Sequence, residues 1–433
     1  MKARLLLLTL TLSVLISTLT TGQFQQVDFI PVNISNSGLA CLNEDSCRPS
    51  VTAKNGDVYA TWTEEDASGN LSIVRFSRSD NEGDAFTVPT TIDVASGFNV
   101  QNLTIEILAN DDLILVWSDD RNNNFDVFVT LSNDEGNSWE WDPNNPVLNL
   151  SNNEGDSLGP SLDHGNMDTF VVAWSDDTED DELNPDGARN IFVRAGRARD
   201  ASLTETFNVS KGFLSNARFP AERPALAINP NRPLRSMFFA WEQEGNRFND
   251  IFFHQTSAFN PINISNSENA QSSNIVIGIR NPLSPNEFDV GQQVITVWEE
   301  RISGDTQILL NIAQDGDLFL TDPGFGEASL NLSQAQGSAG LPAITVNDAS
   351  QYFIAWHQED PNTRRRNLVK LVPVVDVLGL PQEVSKNDTN LSAANVALAA
   401  DDNNVYIIWL EENLDTDVVD VVFTRQQIRG SGL

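Results

Sequence analysis

Seven short runs of aliphatic, β-branched and aromatic residues end in tryptophan and then pass into acidic residues. The tryptophans are Trp62, Trp117, Trp174, Trp241, Trp298, Trp356 and Trp409, spaced 55, 57, 67, 57, 58 and 53 residues apart. A near-constant period of this size marks a repeat architecture, because one unit buries its apolar face only by stacking on the next. The runs Val58 to Trp62, Leu113 to Trp117, Phe170 to Trp174, Met237 to Trp241, Val294 to Trp298, Tyr352 to Trp356 and Val405 to Trp409 have the length and composition of strands buried on both faces.

Other strands flank each run. Upstream, proline introduces short segments at Pro49-Ser50-Val51, Pro160-Ser161-Leu162, Pro224-Ala225-Leu226 and Pro342-Ala343-Ile344, as expected where the first residue of a strand need not donate to a ladder. Downstream come Asp126 to Thr130, Asn190 to Arg194, Asp250 to His254, Gln307 to Asn311 and Asp420 to Thr424. An Asn-aliphatic-Ser triplet follows at Asn149, Asn208, Asn263 and Asn331, with Glu383-Val384-Ser385 as a variant. Four antiparallel strands per unit make a propeller blade. The last unit lacks its closing strand, while Asn33-Ile34-Ser35 stands near the start. The expectation is an all-β, seven-bladed β-propeller of four-stranded antiparallel blades, with the N-terminal strand, about 27–35, completing the last blade, about 387–428.

Residues 1–22 read as a secretory signal: Lys2 and Arg4, an apolar stretch from Leu5 to Leu19, then small residues. Residues 23–433 are expected to form one domain, since no linker or charge block divides them. No later stretch is apolar for the roughly 20 residues of a membrane-spanning helix. An exported, secreted or cell-surface protein suits a disulfide between Cys41 and Cys47, the only cysteines; free thiols or a metal pair are the rival reading. With 26 Lys and Arg against 61 Asp and Glu, the formal charge of −35 argues against a nucleic-acid partner. It suits bound cations, cationic partners or simple colloidal repulsion.

The segment Ser132-Asn133-Asp134-Glu135-Gly136-Asn137-Ser138-Trp139 fits S-x-D-x-G-x-S/T-W, and Ser79 to Phe86 is a looser copy, with a fragment at Asp315-Gly316. The motif resembles the Asp-box, or bacterial neuraminidase repeat, of the sialidase-like β-propellers. Ser132, Asp134, Gly136 and Trp139 would then be structural: two acceptors for turn amides, a residue tolerant of positive φ, and a ring packed on the sheet. Family sialidases are typically six-bladed, which makes a six-bladed ring the alternative fold.

That resemblance also implies a chemistry to look for: three arginines on a substrate carboxylate, a tyrosine nucleophile paired with glutamate, and an acid aspartate. Tyr59, Tyr352 and Tyr406 are the only tyrosines and all lie inside strands leading to a repeat tryptophan. Arg48-Pro49 and Arg223-Pro224 each open an innermost strand, and Arg218-Phe219-Pro220 is a third loose match. Arg48, Arg218 and Arg223 are therefore the candidate ligand-binding residues. The acidic residues after each tryptophan read as turns between second and third strands that would ring the ligand-binding face, either paired with arginines such as Arg121, Arg189, Arg247, Arg301 and Arg364 to Arg366 or binding Ca²⁺. The densest cluster includes Asp176, Asp177, Asp180 and Asp181, the candidate metal ligands. His164, His254 and His357 have no zinc-site spacing. The sequence reading is an exported sialidase-like propeller that binds a glycan or an extracellular protein without glycosidase activity. An exo-acting glycoside hydrolase and a structural cell-surface component are the alternatives.

Overall fold

The computed structural model describes residues 29–41, 47–66, 71–165, 168–178, 188–198, 202–210, 220–229, 237–244, 248–256, 261–265, 270–280, 293–302, 304–314, 329–334, 337–363, 367–374, 379–385 and 388–428. These form seven antiparallel sheets and, among the described residues, no α-helix. Blade 2 shows the plan: an innermost strand Gln101–Ile107, then Leu113–Asp119, Asp126–Ser132 and the two-residue outer strand Leu148–Asn149. The innermost strands of blades 1 and 3–7 are Ser50–Lys54, Ser157–His164, Ala221–Ile228, Gln271–Arg280, Ala339–Val346 and Leu391–Ala400, each packed beside the next in one cycle. In blade 7 the outer position is taken by Val32–Asn33, which pairs with Val418–Gln427 through Val32 opposite Phe423 and Asn33 opposite Val422. The chain is a seven-bladed β-propeller.

All seven repeat tryptophans are buried between sheets, at 1 % exposure or less. A buried indole N–H needs an acceptor, and each finds one two residues along its own strand, where the period of two returns to the same face. The acceptors are Glu64, Asp119, Asp176, Gln243, Glu300, Gln358 and Glu411, at 2.6–3.4 Å. This corrects the reading of the acidic residues as turns. The second strands run on past tryptophan, as in Asp57–Glu65 and Asn404–Asn413, and the acids at this position are ladder residues.

The outer strand ends in an equally regular way. A serine hydroxyl accepts a third-strand N–H at 2.9–3.1 Å in every blade: Ser96 from Val74, Ser151 from Val127, Ser210 from Ile191, Ser265 from Ile251, Ser333 from Ile308, Ser385 from Val369 and Ser35 from Val421. The asparagine of the triplet is also bonded where it is present; Asn149 and Asn263 donate to Asp126 and Asp250. These triplets are therefore ladder and capping residues.

The turn at Ser132 holds the expected bonds. Ser132 Oγ accepts the Gly136 N–H at 2.8 Å, and Asp134 accepts from the Ser138 N–H at 2.8 Å and hydroxyl at 2.7 Å. Those bonds hold the Asp134 carboxyl below its ordinary value, against the desolvation that would raise it. Gly136 has φ 86°, and a β-carbon there would lie 2.2 Å from the Phe76 ring of blade 1. Trp139 packs edge-on to that ring at 5.5 Å. The copy at Ser79 repeats the arrangement one blade back, with Gly83 and Phe86 against Phe423. Asp315-Gly316 lies outside the described residues.

Asp119, wholly buried, accepts from the Trp117 indole and from Arg121, whose guanidinium is sandwiched between Phe98 and Phe128. Asp119→Ala leaves an indole N–H and an arginine without this acceptor, and a loss of roughly 3–5 kcal/mol in unfolding free energy is expected in urea titrations. Asp119→Asn keeps an acceptor for the indole, and a smaller loss is expected.

Candidate functional site

Every innermost strand enters the ring from a blade-joining segment, and six carry the same irregularity. The ladder jumps by one residue between Gln101 and Thr104, Leu158 and Ser161, Glu222 and Ala225, Ser273 and Val276, Gly340 and Ala343, and Ala394 and Ala397. Each jump is a β-bulge whose two extra-paired residues stand opposite the repeat tryptophan. The first of the two is in the left-handed region: Asn102 (φ 53°), Gly159 (60°), Arg223 (49°), Asn274 (51°), Leu341 (48°) and Asn395 (51°). Arg48 occupies the equivalent place in blade 1. Proline follows at 49, 160, 224 and 342, so in blades 3, 4 and 6 it sits in a bulge inside the strand, where no ladder donor is needed, and not at the strand's first residue.

These positions form a ring at one mouth of the central channel, whose volume is ≈ 1110 Å³. Arg48, Asn102, Gly159, Arg223 and Asn274 line the channel, while Leu341 and Asn395 are buried. A left-handed backbone costs a residue other than glycine on the order of 1–3 kcal/mol, and local bonds hold several of them. Arg48 reaches from blade 1 to blade 5, donating to Asn274 Oδ1 at 2.8 Å. The Asn274 N–H donates to Glu242 at 2.7 Å and its side-chain amide to Glu299 at 3.1 Å. Arg223 donates to Glu242 at 3.2 Å. Glu242 is 1 % exposed, and burial pushes its carboxyl up against the pull of Arg223 and the Asn274 N–H. His357 lies beside this group, its imidazole lowered to about 4 by burial and then by Arg48. The Cys41–Cys47 disulfide stands immediately before Arg48, and Asn395 of blade 7 donates to the Cys47 carbonyl at 2.7 Å.

Four residues below the ring, Thr52, Glu106 and Asp163 face Ala227, Gly278, Thr345 and Ala399 around the channel. The Glu106 carboxyl is pushed up to about 8, first by desolvation and then by the charge of Asp163, against a hydrogen bond from Thr52 at 3.2 Å. Asp163 is raised by burial too, though His164 and the N–H groups of Ile228 and His164 pull the other way.

Two of the three candidate arginines thus share the mouth; Arg218 lies outside the described residues. Asp176 accepts from Trp174, Asn153, Ser157 and Thr178, and Asp177 pairs with Arg189 at 2.5 Å. Asp180 and Asp181 lie outside the described residues, and among those described no three His, Cys, Asp or Glu side chains could hold a metal ion. Tyr59, Tyr352 and Tyr406 are all buried in second strands, and burial raises each phenol, that of Tyr59 to about 12. The sequence reading missed Asn274, whose signal was Asn274-Ile275 matching Asn102-Leu103 and Asn395-Val396 in position relative to the strand that follows; Glu242 and Glu299, directly after Trp241 and Trp298, were among the acidic residues it placed on the ligand-binding face.

No family model matches the sequence, and no curated protein matches it. Solved structures do share the fold. An α-L-arabinanase from Penicillium chrysogenum, complexed with arabinobiose, is 14 % identical with a TM-score of 0.52, covering 81 % of this chain and 99 % of that one. The GH93 α-L-arabinofuranosidase of Fusarium graminearum is 10 % identical, TM-score 0.47, over 92 % and 98 %. Trypanosoma rangeli sialidase is 9 % identical, TM-score 0.46, over 92 % of this chain and 60 % of its own. The likeness to the Penicillium arabinanase is one of fold alone.

The raised Glu106 carboxyl carries a sign. Between its unfolded value and about 8, the folded protein holds the extra proton, so this group lowers stability as pH rises through that window. Glu106→Gln is expected to melt higher than wild type at about pH 9, with the gap narrowing towards about pH 4.5 as the wild-type carboxyl becomes protonated in both states. Thermal melts of the two proteins across this range check it.

Proposed function

We propose that the protein is an exported glycan-binding propeller without glycosidase activity, and that its ligand sits at the channel mouth over Arg48 and Arg223. One observation carries this reading: the blade-joining segments deliver a ring of equivalent residues to a single opening, five of them line the cavity, and three of those five, Asn102, Arg223 and Asn274, are residues other than glycine in the left-handed region. Strain of this kind is kept where the backbone must aim a side chain. A polar, concave opening with several hydrogen-bonding side chains suits a hydroxyl-rich ligand. The arabinobiose held by the Penicillium propeller agrees with that class.

The hydrolase alternative has one feature in its favour, two carboxylates joined through Asn274. Glu242 and Glu299 are 1 % and 7 % exposed, however, and each is already bound by two or more donors. Their bonds hold the mouth residues in place, which supports a binding role. The leader-like N-terminus and the disulfide support export. No helix of the described residues is long and apolar enough to cross a membrane.

A glycan array probed with and without Ca²⁺ tests the assignment. Capture by wild type, with loss of about tenfold or more in Arg48→Ala and Arg223→Asn, is the expected result; asparagine holds the same backbone conformation in blades 2, 5 and 7. Capture unchanged in both variants would remove the mouth from the site. Turnover of fluorogenic arabinoside or sialoside substrates by the purified protein would replace the binding role with hydrolysis.

A further inference from the structure

The ring at the mouth has a gap. Of the five positions that line the cavity, four bring a side chain and blade 3 brings Gly159. A β-carbon added to Gly159 would have no heavy atom of the described residues within 4 Å. Gly136 is different, because the Phe76 ring fills the space a side chain would need. Nor does the left-handed backbone demand glycine at this level, since Asn102, Asn274 and Asn395 adopt it with φ values of 53°, 51° and 51°. Among the described residues, packing and backbone both leave room for asparagine, and none of these residues fills the position. The result is a notch one side chain wide between Asn102 of blade 2 and Arg223 of blade 4, with Leu158 and Pro160 supplying apolar surface beside it.

The charges around the notch are balanced. Arg223 is 3.2 Å from Glu242, and Arg189 is 2.5 Å from Asp177 and 3.8 Å from Glu222. Four residues below Asn102 and Gly159 stand Glu106 and Asp163. An acidic ligand would meet guanidinium groups whose charge is already matched by Glu242, Asp177 and Glu222, above a Glu106 carboxyl that offers it no opposite charge. A cationic ligand would meet both guanidinium groups first. A neutral polyol meets donors and acceptors in alternation, from the Asn102 amide, the Arg223 guanidinium and the half-exposed Glu222 carboxylate.

We propose that the Gly159 notch is a subsite for one neutral sugar residue, with Asn102, Glu222 and Arg223 bonding its hydroxyls, and that it makes the mouth select neutral glycans over acidic ones. This rests on the mouth being the glycan site. Wild type and Gly159→Asn are compared on an array carrying neutral arabino-, xylo- and galacto-oligosaccharides beside sialylated and uronate-bearing ones, with thermal melts run alongside. The expected result is capture of neutral glycans by wild type and a loss of about tenfold or more in Gly159→Asn, with a melting temperature lowered by only a few degrees, as the left-handed backbone requires, and the protein folded under assay conditions. Should Gly159→Asn fold poorly, Glu222→Ala carries the same expectation of about tenfold, because Glu222 is a half-exposed side chain. Neutral capture untouched by both substitutions overturns the subsite. Capture of acidic glycans alone overturns the selectivity and leaves the mouth as a glycan site. Capture of no glycan overturns both readings.

Discussion

A tryptophan indole that donates to the side chain two residues further along its own strand is the interaction on which this ring depends. The indole is large enough to fill the gap between neighbouring sheets, and burying it strands one N–H unless an acceptor is buried too. The pleat brings residue i+2 to the same face, so an acid or amide there answers the N–H without a second element. The acceptor then ties in the blade-joining segment. Glu64 receives the Ser37 hydroxyl, and Asp176 receives Asn153 and Ser157 on the way into blade 3. The bulge residues stand directly across from the same tryptophan. One repeated bond thus links the packing between blades to the strands that shape the channel mouth.

The outer edge is solved with equal economy. A two-residue strand presents little backbone to a passing chain, and a serine hydroxyl then takes over as acceptor for the third strand. Ser35 does this for Val421 just as Ser151 does for Val127, so the N-terminal segment is chemically the same part as the outer strands of blades 2 to 6. Arginines add pins between blades at the third strand. Arg425 bonds the Glu82 carbonyl and Arg78 bonds Glu135, each holding the turn of the next blade. Those turns are the ones whose glycines lie flat on Phe423 and Phe76, so polar and apolar contacts hold the same junction from two sides.

Much of this was legible in the chain. The tryptophan spacing indicates seven units, and the Asn-aliphatic-Ser triplet marks outer strands, including the displaced one at Asn33. Arg48 and Arg223 stood out because each precedes a proline opening an innermost strand. The bulge itself was invisible, because one inserted residue breaks the period of two without changing composition, and it is seen only when a partner strand supplies the register. For the same reason Asn274, which carries no proline after it, was not recognised as the blade 5 counterpart of Arg223. The acidic residues misled for the opposite reason. A strand buried on both faces shows no alternation to say where it ends, so Glu64 and Asp119 read as turn residues although they are ladder residues bonded to an indole.

Net charge and local charge pull apart in this molecule, and the channel shows how. A formal charge of −35 raises the cost of every further unpaired carboxylate. At the mouth the buried carboxyls are therefore matched: Glu242 has Arg223 and the Asn274 amide, and Glu299 has the Asn274 side chain and the Leu341 amide. Inside the channel no cation among the described residues pairs with Glu106, and burial and then the charge of Asp163 raise its carboxyl to about 8, which keeps a proton on it through neutral pH. Pairing at the rim and protonation below it reach the same end by different means. An acidic protein thereby keeps a channel that is polar but carries little net charge, an interior in which hydroxyl groups compete with water on geometry and not on charge.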